Sequence, residues 1–164
     1  MEDWTMKIRT IFFAIVALLA VSCKPTPDSG SSTDNTKWYN DGNICGEWML
    51  TKLSDRDTEI LVYISFNEDS SFDLYQKVYN VVWLHYTGTF TLNGTTLSGV
   101  YSDGKAWAAN YSVAYTDSPK RIRLTNAADN ADVAIYTEQS IPEYIVDEAQ
   151  RPEDVRSVVI ERFL

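Results

Sequence analysis

The sequence predicts an all-β domain: an antiparallel, up-and-down, eight-stranded barrel followed by a short C-terminal helix or tail. Eight short apolar-alternating runs recur about every 8–12 residues with hairpin-length links. Asn93-Gly94 joins two of these runs and Asp103-Gly104 closes the second; both dipeptides tolerate the positive φ angles that a type I′ turn demands. Aromatic residues make up 13% of the 164, with ten tyrosines and five tryptophans, which suits strands better than helices. A meander of this kind either closes or leaves two unpaired edges, so closure is expected. The length is that of one domain.

Residues 1–22 read as a secretion signal. Lys7 and Arg9 give a positive start, and the apolar run from Ile11 to Val21 is uncharged. It is too short to span a bilayer, which needs about 20 apolar residues. Met1-Glu-Asp-Trp-Thr5 is acidic where such a segment is normally basic, which points to Met6 as the initiator. The run ends in Leu19-Ala20-Val21-Ser22-Cys23, which resembles a bacterial lipobox. That resemblance implies cleavage before Cys23 and acylation of its thiol and new amine. The competing reading is an ordinary signal peptide that ends near a cysteine. Two or three acyl chains anchor a protein stably where one is marginal, so the membrane is the expected partner through Cys23.

Residues 23–43 form the lipidated N-terminus and a disordered tether. From Lys24 to Thr36 the chain offers Pro, Gly, Ser, Thr, Asp and Asn but nothing to bury against the entropy of ordering. About 13 residues reach at most ~45 Å when extended.

The barrel is expected over residues 44–140. Trp38, Tyr39 and Ile44 lead into a first strand, Gly46 to Leu53, closed by a turn at Asp55-Arg56-Asp57. Glu59 to Asn67 is the second strand, with Ile60, Val62, Ile64 and Phe66 on one face. In the third, Phe72, Leu74 and Val78 share a face while Asp73 and Lys77 point away. The fourth runs from Val81 to Leu92 with Val82, Leu84, Tyr86, Phe90 and Leu92 inward; Gly88 would allow a bend or bulge. Thr95 to Ser102 is the fifth, carrying Leu97 and Tyr101 inward, and Ala106 to Thr116 the sixth, with Trp107, Tyr111, Val113 and Tyr115 on one face. Ile122 and Leu124 belong to the seventh strand, Val133 and Ile135 to the eighth.

Residues 141–164 are the tail. Pro142 is tolerated at a helix start, so Glu143 to Gln150 is a candidate short helix. Val155, Val158, Val159, Ile160, Phe163 and Leu164 are spaced equally well for a helix or a strand.

Gly46-Glu47-Trp48 at the head of the first strand resembles the Gly-x-Trp signature of lipocalins. The wider set extends that likeness: Tyr63-Ile-Ser-Phe-Asn-Glu-Asp, Tyr86-Thr-Gly-Thr-Phe, Leu97-Ser-Gly, Tyr101-Ser-Asp-Gly-Lys and Trp107. Together they resemble the lipocalin-like lipoproteins of gut Bacteroidetes over roughly residues 45 to 145. The resemblance implies a small barrel displayed in the bacterial cell envelope, at the outer membrane, and it assigns Gly46 and Trp48 to closing the barrel. In lipocalins that tryptophan often lies under an arginine from a late strand; no arginine closely follows the eighth strand here. Thr116-Asp117 falls where lipocalins carry a second motif.

The formal net charge of −9 argues against nucleic acid, whose phosphates call for a basic face, and against adhesion to an anionic membrane by charge alone. Groups that would support catalysis or metal binding are sparse. His85, the sole histidine, alternates with inward residues and is expected to face out, without Cys or acidic partners at ligand spacing. Once Cys23 carries lipid, Cys45 has no disulfide partner and reads as a small buried hydrophobe. Asp55, Asp57 and Glu59 lack the glycine and spacing of a calcium loop. There is no phosphate loop or nucleophile elbow. The expectation is a non-enzyme without cofactor or metal.

Two functions fit. In one, the open end admits a small apolar or amphipathic molecule, lined by Tyr63, Tyr86, Tyr101, Trp107 and Tyr111. Trp107, close behind the Asp103-Gly104 turn, would then be a rim residue; otherwise it is a plug, and the aromatics simply fill the barrel. In the other, the protein is an interaction or inhibitor module with an envelope protein partner. Outward Trp83, Tyr75 and Tyr79 would form an exposed aromatic patch unless the C-terminal segment covers it.

Overall fold

A computed structural model describes residues 36–54, 60–78, 80–155 and 161–164. The signal segment, Cys23, the tether up to Asn35, the turn residues Asp55, Asp57 and Glu59, Tyr79, and Val158 to Ile160 lie outside the described residues.

Eight strands are present: β1 (Gly46–Leu53), β2 (Leu61–Phe66), β3 (Ser71–Lys77), β4 (Leu84–Asn93), β5 (Thr96–Tyr101), β6 (Tyr111–Asp117), β7 (Lys120–Asn126) and β8 (Val133–Glu138). Each pairs with its sequence neighbour and β8 pairs with β1, all antiparallel, giving a closed up-and-down barrel. A short helix, α1 (Glu143–Glu148), and a 3₁₀ turn at Pro152–Asp154 follow. Because all pairings are antiparallel, the links at residues 67–70, 94–95 and 118–119 gather at one end, which we call the floor. The links at 102–110 and 127–132 gather at the other, the mouth, where the end of β1, the start of β2, the end of β3 and the start of β4 also lie.

Alternation sets the interior. Trp48, Val62, Ile64, Leu74, Leu84, Leu97, Val113 and Ile122 are completely buried, so the faces expected to point inward on these strands do so. In β8 the inward residues are Ala134 and Tyr136, while Val133 and Ile135 are only half-buried. The tighter packing is at those two positions because they share the parity that faces Leu124 and Ile122 across the β7–β8 ladder.

Three local details differ from expectation. The β4–β5 loop is Gly94-Thr95 rather than Asn93-Gly94: Asn93 pairs with Thr96, and only Gly94 has a positive φ, at 60°, the pattern of a type II′ turn. Gly88 interrupts neither ladder, since it pairs in register with Phe72 and Tyr101. It is small because the Phe72 ring and the Val100 carbonyl occupy the space a side chain would need. The register break is instead in β1, between Leu50 and Lys52.

The sixth strand starts at Tyr111, five residues later than expected, and the stretch before it folds back onto β5 through a bridge between Val100 and Ala106 and a bond from the Trp107 N–H to the Gly99 carbonyl. This covers a seam where β5 and β6 share only the pairs Thr96–Ser112 and Leu97–Tyr111. Beyond the start of β5, β6 is paired instead by Tyr39, which exchanges both backbone bonds with Tyr115 and stacks on its ring.

Candidate functional site

The floor is built around Trp48, which has no exposed surface. Its Nε1–H donates to the Ile44 carbonyl at 2.8 Å, fastening the entry segment beneath the indole. Gly46 adopts a φ of 140°, which L side chains rarely take, so the chain can turn into β1 there. The cation over Trp48 is Lys120, 5.5 Å from the ring centroid at the start of β7 and paired with Glu138. A lysine, rather than an arginine, occupies that place, and it precedes β8 instead of following it.

Four of the five expected lining residues, Tyr86, Tyr101, Trp107 and Tyr111, are buried in the interior core. Tyr63 is not among them. It lies on the outer face of β2 in a separate cluster with Tyr75, Trp83 and Ile145, because its parity is opposite to that of Val62 and Ile64. The same cluster corrects the exposed aromatic patch. Ile145 of α1, fully buried, packs over Tyr75 and Trp83, which are 7% and 6% exposed. The segment after α1 completes this cover: Gln150 pairs with β4 through the Trp83 carbonyl and the His85 N–H, both at 2.9 Å.

Trp107 is 6% exposed, which makes it a plug rather than a rim residue. Its indole lies against bare Gly99, where any Cβ would overlap the ring, and meets Phe72 and Tyr111 edge-on at 5.2 and 6.2 Å.

His85 faces outward as expected, but it has partners. Its ring stacks flat on Tyr75 at 4.4 Å, and Nε2 lies 2.9 Å from Asp73 Oδ1. That bond, aided by one from Asn67, holds the Asp73 carboxyl below the usual range. Cys45 is a free thiol and half-buried, so it is less enclosed than a core hydrophobe. Among the described residues no three His, Cys, Asp or Glu side chains are grouped to hold a metal ion.

A cavity of about 500 Å³ opens at the mouth. Its apolar wall is Leu53, Ile60, Val78, Tyr111, Leu124 and Ala134, with Asp129 and Asp132 on the rim and residues 161–164 closing the remaining side. That last wall has no local signal in the sequence. Leu164 is 2% exposed within the interior core, and Tyr101 Oη–H donates to its carbonyl at 2.7 Å. Fully buried Gln76 bonds to the backbone at Glu161 and Phe163. Gln76 shares the inward parity of Phe72 and Leu74, so a polar residue on an apolar face was the available clue.

The interior is dry enough to shift its phenols. Burial pushes Tyr111 up to about 12 and raises Tyr86, Tyr101 and Tyr136 as well. Tyr86 Oη, Tyr136 Oη and Trp107 Nε1 are buried with no hydrogen-bond partner among the described residues. Burial keeps these phenols protonated near neutral pH, so each remains a hydrogen-bond donor. No protein-family model, curated protein or solved structure matches this chain.

Proposed function

We propose that this chain is a cell-envelope lipoprotein, anchored at the outer membrane through Cys23, whose lipocalin-like barrel binds a small amphipathic molecule at its mouth. The mouth cavity carries the reading: at about 500 Å³ it falls within the ~300–1,000 Å³ typical of small-molecule sites. Its wall sets aliphatic and aromatic side chains beside polar ones, Ser54, Asp129, Asp132, Glu161 and Arg162, which suits an amphipathic guest. With α1 covering Tyr75 and Trp83, the interaction-module alternative loses the surface that suggested it.

The test is a titration with the amphipathic dye anilinonaphthalene sulfonate. Wild type should show saturable one-to-one uptake, and Ile60→Asp, which puts a charge on the cavity wall, should bind about tenfold more weakly, equivalent to ~1.4 kcal/mol. Absence of saturable uptake would sink the cavity reading. The anchor is tested separately. Cys23→Ser should move the protein from the membrane fraction to the soluble fraction of the producing bacterium, and a variant that stays in the membrane fraction rules out the lipid anchor.

A further inference from the structure

We infer that the mouth of the barrel is a peptide-binding site, held in cis by residues 161–164, and that it takes in trans an extended peptide presenting arginine, an aromatic residue and leucine in succession. This rests on the mouth being a binding site and names the class of ligand it is built for.

The contacts divide into backbone recognition and side-chain recognition. Gln76 supplies most of the first. Its Oε1 accepts the Phe163 N–H at 3.0 Å while its Nε2–H donates to the Glu161 carbonyl at 2.5 Å. One side-chain amide therefore engages the donor and the acceptor of residues two apart, as a neighbouring strand would. Tyr101 Oη–H adds a bond to the Leu164 carbonyl at 2.7 Å. These three bonds read main chain, whatever the side chains are.

Side-chain recognition is concentrated at two positions. The Arg162 guanidinium forms a fork on Asp103, with Nη1–Oδ1 at 3.0 Å and Nη2–Oδ2 at 2.5 Å. It also lies over the rings of Tyr101 and Tyr86 at 4.5 and 5.5 Å. The fork holds the Asp103 carboxyl well below the usual carboxylate range. Leu164 enters the core, and Phe163 packs half-buried against it.

This chemistry selects an amide-bearing guest over a bare hydrocarbon. A buried glutamine and phenol lose their partners if the occupant has no amide groups, and a lipid tail can satisfy neither. A peptide backbone satisfies both, and the Asp103 carboxylate together with the Tyr101 and Tyr86 rings rewards a guanidinium.

The experiment uses the full chain and a fluorescein-labelled peptide Glu-Arg-Phe-Leu with blocked ends, followed by anisotropy. Leu164→Asp removes the cis leucine anchor and leaves every barrel residue in place. The peptide should bind it at least about tenfold more tightly than wild type, because the cis occupant no longer competes. Arg162→Ala, which loosens the same segment from the solvent side, should give the same direction of change; this keeps the test open if Leu164→Asp folds poorly. A peptide with glutamine in place of arginine should bind about tenfold more weakly, and adding Asp103→Asn should abolish that difference.

No peptide binding by either variant overturns the inference, as does binding indifferent to the arginine. The dye separates the two readings. Dye uptake without peptide binding overturns the peptide site and leaves the small-molecule reading standing. Peptide binding without dye uptake does the reverse, and failure of both overturns both.

Discussion

Trp107→Ala is expected to cost about 3–5 kcal/mol of folding free energy, because a large buried side chain is deleted from a site that cannot collapse around the void. For a domain of this size the melting temperature should fall by roughly 10–20 °C. The indole fills the space over Gly99 and touches Phe72 and Tyr111, so its removal opens a hole where the β5–β6 ladder is thinnest. Urea titration and thermal melting followed by circular dichroism measure the loss. A decrease below about 1 kcal/mol would mean the ring is dispensable to the core and belongs to the rim after all.

A similar loss, about 3–5 kcal/mol, is expected for Trp48→Ala at the opposite end. There the side chain is wholly buried, and its Nε1–H is the bond that fastens the Ile44 carbonyl. Removing it therefore leaves a cavity and an unpaired carbonyl together. Lys120→Met should cost far less, under about 1 kcal/mol, because its ion pair with Glu138 is half exposed and screened by water. If Lys120→Met matched Trp48→Ala in cost, the cation rather than the indole would be the element that closes the floor. Neither tryptophan variant bears on ligand chemistry directly, so dye and peptide titrations are best interpreted on the cavity-wall and tail variants.

Much of the barrel was legible from residue order because its signals are local. Alternation with period two is set by the pleat of each strand, so Val62, Ile64 and Phe66, or Ile122 and Leu124, declare a common face without reference to any neighbour. Turn dipeptides act over two or three residues, which is why the β4–β5 hairpin was placed correctly while its turn type shifted by one position. The same rule places Tyr63 outward, against the expectation that it lines the pocket. An aromatic beside Val62 and Ile64 on the alternate parity must face outward, and its chemical suitability for a pocket does not alter its direction.

What the linear order by itself determined about this protein is its class, its strand count and its inward faces, since each depends on steric and hydrophobic preferences expressed within a few residues; the place of Gly46 and Trp48 at the floor was implied by the resemblance to lipocalins. Only the tertiary structure decided what the mouth contains. Gln76 and Glu161 are 85 positions apart, Tyr101 and Leu164 63 apart, and Asp103 and Arg162 59 apart. No local preference encodes such meetings; they follow from barrel closure, which brings the ends of β3 and β5 and the link after β5 together around residues 161–164. The cover of Ile145 over Tyr75 and Trp83 has the same origin: a six-residue helix too short to be stable alone is held in place by the outer aromatic face of a sheet that must already exist.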